Sequence, residues 1–203
     1  MSNEIILKCT GHLRITDADT QTVLVDKSNA IHFENISEAL AHNLANKRNT
    51  YAYEMHFGRG GTSFDNTGVI NYLPTNTNIQ NADLYFPTFY KIIDDNDIEN
   101  EDPLRNKMEV RHVPGTLYTD ILITCYLDYG EPSGQTAFDN VTQLESPFVF
   151  DEIGIKAFSP TGPGRGKLLT HVVFHPIQKS LNRLIQIDYT IRIQSITNLT
   201  GMA

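Results

Sequence analysis

The feature that most constrains this chain is a run of strict alternation near its C-terminal end. Ile185, Ile187, Tyr189, Ile191 and Ile193 fall at every second position, and Gln186, Asp188, Thr190 and Arg192 fall between them. Successive side chains on a strand point to opposite faces, whereas a helix would scatter these residues around its circumference. The run therefore predicts a long strand with one face in a core and the other in polar surroundings, the habit of an antiparallel sheet. Leu117, Thr119, Ile121, Ile123, Cys125 and Leu127 repeat the period. Further strands are expected at Ile5–Leu7, His12–Ile15, Thr22–Val25, Tyr51–Phe57, Leu84–Ile93, Phe148–Phe158 and Leu168–Phe174. Pro87 consigns its strand to a sheet edge, because proline cannot donate to an inner ladder.

One helix interrupts this pattern. Ile36, Leu40 and Leu44 recur at four-residue spacing with alanines between them, and Lys47 and Arg48 follow at the end favoured by cations. Asn35, with Glu38 three residues on, reads as its capping box. The expected fold is mainly β (α+β): an antiparallel β-sandwich-like core with one amphipathic helix and long loops. At 203 residues the chain suits a single domain, 1–203, with a loop-rich insertion at about 58–115.

Motif by motif, the sequence offers no catalytic chemistry. Gly162-Pro163-Gly164-Arg165-Gly166-Lys167 resembles a phosphate loop, but Thr161 and Leu168 stand where Gly and Ser or Thr are required, and the segment joins two strands. It reads as a hairpin turn. Gly58 to Gly61 lacks the strand-to-helix step of a dinucleotide fingerprint. Asp94-Asp95-Asn96-Asp97 is acidic, yet Ile98 and Glu99 break the order of a calcium loop, so a solvated connection is expected. His171 and His175 share a strand face without a visible third metal ligand. Asp151 and Glu152 are paired in sequence, but a carboxylate pair needs a cleft to act. No catalytic, cofactor-binding or metal residues are assigned, and no cofactor is expected. Cys9 and Cys125 are far apart and read as reduced thiols.

The formal net charge is -8 and the pI is about 5.3. No basic stripe is present to neutralise phosphates, so sequence-specific nucleic-acid binding is not expected. The longest apolar runs are too short to cross a bilayer, and Met1-Ser2-Asn3-Glu4 lacks the pattern of a secretion signal. The reading is a protein made in a cytoplasm, with no membrane partner.

Two stretches resemble virion structural proteins of contractile-tailed bacteriophages. The first is Val25-Asp26-Lys27-Ser28-Asn29-Ala30-Ile31-His32, its helix, and then Phe57-Gly58-Arg59-Gly60-Gly61-Thr62. The second runs from Leu168 through Phe174-His175-Pro176-Ile177-Gln178-Lys179 to Ile193. The resemblance implies a non-enzymatic subunit of the virion, assembled as a ring in the neck between portal and tail. A baseplate or tail-tube subunit is the neighbouring alternative. Its partners would be copies of itself and other virion proteins (portal, connector, tail or baseplate components), near genomic DNA without reading its sequence.

Contact between subunits is expected from the 59–81 loop and the 162–167 hairpin, through Arg59, Asn66, Tyr72, Asn76, Asn78, Gly164, Arg165 and Lys167. Both segments look poor in residues that would anchor them to their own core. Two other classes compete: a glycan-binding sandwich using Tyr72, Tyr85, Phe86, Phe89 and Tyr90, and a metal enzyme built on the seven histidines.

Overall fold

The computed structural model describes residues 5–132 and 148–197, so Met1 to Glu4 lie outside it. The elements in chain order are β1 (Ile5–Asp17), β2 (Thr22–Ile31), α1 (Phe33–Leu44), β3 (Ala52–Gly58), β4 (Thr62–Phe64), β5 (Ile70–Tyr72), β6 (Pro87–Ile92), β7 (Lys107–His112), β8 (Tyr118–Leu127), β9 (Phe148–Ala157), β10 (Leu168–Lys179) and β11 (Ile185–Thr197). Nine strands form one antiparallel sheet in the order β6-β3-β9-β10-β2-β1-β11-β8-β7, and β4 and β5 form a separate hairpin.

The sheet curls on itself so that its halves face each other across one core. Ile185, Ile187, Tyr189 and Ile191 of β11 point inward and are buried, as the alternation predicts. They join Leu13, Ile15, Ile123, Cys125 and Leu127 from one half, and Met55, Phe57, Phe150, Ile153, Ile155, Val172 and Phe174 from the other. Phe150 meets Phe57 and Phe174 edge-on, at 5.5 and 5.8 Å between ring centroids, an arrangement aromatic quadrupoles favour. The result is the sandwich-like, mainly β fold expected from sequence. β2 is the hinge between the halves: it pairs with β1 along most of its length and with β10 only at Ala30 and Ile31.

The polar face of β11 is held by its own ladder. Arg192 grips Asp120 with two hydrogen bonds, at 2.7 and 2.8 Å, and lies over the Tyr118 ring. The Tyr126 hydroxyl donates to Gln186, whose amide donates to Asp188.

Several local expectations change. Ile5–Leu7 and His12–Ile15, expected as separate strands, belong to one 13-residue strand. The helix begins earlier than the capping-box reading: His32 is the N-cap, and its ring accepts the Asn35 amide at 3.3 Å. Asn35 is instead a buried first-turn residue whose side-chain amide donates to the carbonyls of Leu168 and Gln80. Lys47 and Arg48 lie past the helix end, beyond the C-cap at Ala45. The 58–115 region contains the β4–β5 hairpin and both edge strands of the sheet, β6 and β7. Pro87 opens edge strand β6, as its chemistry requires.

Candidate functional site

The segment from Arg59 to Phe86 leaves β3, crosses the outer face of the sheet and returns as β6. Its middle is paired within itself through β4 and β5, whereas amides at its two ends are met from elsewhere. Two carboxylates at the centre of β9 meet them. Asp151 accepts from the amides of Gly61 and Thr62, each at 2.9 Å, and from the Thr62 hydroxyl. Glu152 accepts from the amides of Gly60 (3.0 Å), Tyr85 (2.9 Å) and Phe86 (2.8 Å), and from His171 Nε2 (2.9 Å).

Chain entry and exit are thus clamped to one side chain that is completely buried. Gly58 and Gly60 leave room for it. A Cβ on Gly58 would lie 2.4 Å from Glu152 Oε1, and one on Gly60 would lie 2.7 Å from the Phe86 amide nitrogen.

His171 extends the clamp. The amide of Asn76 donates to its Nδ1 at 2.8 Å, so that nitrogen carries no hydrogen; Nε2 carries it and donates to Glu152. Burial works to raise the Glu152 pKa, but the hydrogen bonds from His171 and the three amides outweigh it and hold the carboxyl below its ordinary value. Burial pushes neighbouring Asp151 the other way, upward, against the pull of its own donors. Each of the four carboxylate oxygens accepts from at least one backbone or side-chain donor, so the arrangement fixes the segment above it.

The 162–167 hairpin is anchored by the same device. Gly164, at φ +77°, gives its amide to both oxygens of buried Glu54, at 2.8 and 2.9 Å. Lys156, also buried, bridges the Gly164 carbonyl to Asp83. The apparent lack of anchors in the sequence is therefore corrected: the anchors lie on β3, β9 and β10 rather than within the loops.

The eight expected contact residues divide by this geometry. Arg59 is exposed and its guanidinium sits 4.9 Å from the centroid of the Phe86 ring. Asn66 occupies the exposed turn between β4 and β5, where Asp65 accepts the amides of Thr67 and Val69. Tyr72 is exposed on β5, its hydroxyl 3.2 Å from His175. Asn78 and Arg165 are exposed. Asn76, Gly164 and Lys167 are engaged internally, Lys167 with Glu38 of the helix.

What the clamps hold outward is apolar. Phe64, Val69, Tyr72, Ile79, Tyr85 and Phe86 are between 39% and 67% exposed. Of the aromatic set weighed for glycan stacking, Phe89 is in the core and Tyr90 is half-buried against His56, so the five do not make one open platform.

A second feature lies beside the helix, a cleft of about 410 Å³ between α1 and the 162–167 hairpin. Among the described residues, no group of three or more His, Cys, Asp and Glu side chains is placed to hold a metal ion. Nor, among the described residues, is any helix long and apolar enough to cross a membrane. Comparison with protein-family models, with curated proteins and with solved structures finds no match.

Proposed function

We propose that this chain is a structural subunit of a tailed-phage virion that assembles in many copies, as a ring in the neck between portal and tail. The observation that carries the reading is the apolar surface of the 59–86 segment, held rigid from beneath by Glu152, Asp151 and His171. Mobile loops scatter single apolar residues at random. Here a buried polar network fixes a set of them in solvent, the condition of a surface awaiting a protein partner. Fixing the segment before contact also lowers the ordering cost of association.

The acidic surface suits the interior of a DNA passage, where attraction to phosphates would retard movement. A baseplate or tail-tube position uses the same features.

The test is the oligomeric state of the purified protein by native mass spectrometry and electron microscopy, with Phe64→Ser, Val69→Ser and Tyr72→Ser combined in one variant. The wild type is expected to form closed oligomers, and the variant to keep its thermal midpoint while losing them. A wild type that stays monomeric at all concentrations and is absent from phage particles by peptide mass spectrometry refutes the proposal.

A further inference from the structure

We infer that the cleft between α1 and the 162–167 hairpin receives the acidic loop 95–102 of a second copy of this chain. The inference rests on the self-assembling reading above and names one of its contacts.

The cleft has an apolar floor that includes Ala39, Phe158 and Leu169, with Arg48 and Arg165 on its lining. Both arginines are exposed, and neither has a carboxylate within ion-pair distance among the described residues; Lys167 nearby is already paired with Glu38. In a chain of net charge -8, two unpaired guanidinium groups at one cleft are a specific invitation to an anion. Asn35 also lines the cleft. Its amide nitrogen serves two carbonyls, but its Oδ1, in a residue only 1% exposed, has no partner. A buried acceptor left open in this way costs free energy unless a donor arrives.

The complementary feature lies on the same chain. Ile98 is 99% exposed, yet it stands on a loop that is firmly built. Buried Asn100 ties the loop shut by donating to the carbonyls of Asp94 and Asn106, and Asp94 and Asp97 accept the amides of Asn96 and Glu99. Around Ile98 stand Asp95, Asp97, Glu99 and Glu101, none ion-paired among the described residues. This gives an apolar knob ringed by carboxylates, opposite in charge to an apolar-floored cleft carrying arginines.

No residue of 95–102 lines the cleft of its own copy, and the loop is tied where it stands by Asn100 and by Tyr53, whose ring packs with those of Tyr51 and Phe158. Phe158 faces the cleft, and Tyr53 donates to Glu99 on the side of the loop. The loop that seats in the cleft is accordingly that of a second copy.

The test is charge reversal on either side, followed by restoration. Arg48→Glu with Arg165→Glu, and separately Asp95→Lys with Glu101→Lys, are expected to weaken self-association roughly tenfold or more by sedimentation, since each places like charges across the contact. None of the four side chains makes a hydrogen bond that holds its own loop, and unchanged thermal midpoints verify folding. Combining all four substitutions restores opposite charges and is expected to restore assembly. Unchanged association in either pair, or failure of the fourfold variant to recover, overturns the inference while leaving the structural role intact. A monomeric wild type overturns both.

Discussion

Glu152→Gln isolates the clamp on the 59–86 segment with almost no change in shape. Each carboxylate oxygen accepts two hydrogen bonds: Oε1 from the Gly60 and Phe86 amides, Oε2 from the Tyr85 amide and His171 Nε2. Glutamine keeps one acceptor and turns the other oxygen into a donor, so in either orientation two donors lose their partner. His171 cannot adapt by moving its hydrogen to Nδ1, because that nitrogen accepts from the Asn76 amide. Two buried orphaned donors at about 1–3 kcal/mol each give a loss of about 2–6 kcal/mol. For a chain of this size that lowers the thermal midpoint by about 2–4 °C per kcal/mol.

The loss should be localised as well. In hydrogen exchange, the amides of Gly60, Tyr85 and Phe86 should lose protection well before those of β8 and β11. The pH dependence has a definite sign. Glu152 titrates lower in the folded chain than in the unfolded one, so its contribution is complete above the ordinary glutamate value and disappears as pH falls through the lowered one. The gap in unfolding free energy between wild type and Glu152→Gln should therefore be constant near neutrality and narrow in acid. A variant within about 1 kcal/mol of wild type, with those three amides still protected, refutes the clamp.

Two further substitutions probe the frame. Lys179 is buried and donates to the carbonyls of Asp128, Glu131 and Ser180, and burial lowers its pKa to about 8. The unfolded chain binds that proton more tightly, so stability should rise with pH from about 8 toward the free lysine value of about 10.4; chemical denaturation of Lys179→Met should lack this rise. Gly166→Ala places a Cβ 1.6 Å from the Ala157 carbonyl oxygen, a backbone atom that cannot swing aside, and should cost upwards of about 2 kcal/mol in urea unfolding. An unperturbed midpoint would mean the hairpin does not pack as described.

The fold was legible wherever burial imposes a period. β11 has one dry face, and β8 has one from Ile123 to Leu127, although Leu117, at the head of that alternation, is exposed outside the strand. β7 was missed because it is an edge strand whose Lys107, Glu109 and Arg111 alternate with Met108, Val110 and His112 largely in solvent, so no dry face marks it. The β4–β5 hairpin was hidden by the polar composition of its surroundings. The helix start was misplaced for a local reason: histidine is an uncommon cap, and Asn35 carries the chemistry of a cap while serving as a buried bridge between α1, Gln80 and Leu168. The site was least legible. Asp151 and Glu152 stand out in an apolar strand, but their partners at Gly61 and Phe86 lie 90 and 66 residues away, and no local pattern links them.

β1 lies between β2 and β11, and it pairs with β11 along its whole length, from Ile5 opposite Thr197 to Asp17 opposite Ile185. On the ribosome, then, β1 and β2 emerge long before β11, as a ribbon whose outer edges are unpaired. The sandwich cannot be completed until β11 has cleared the exit tunnel. Throughout translation the open side of β1 is a template for the same strand on a neighbouring nascent chain. The interval between making β1 and making β11 is the time in which such mispairing must be avoided.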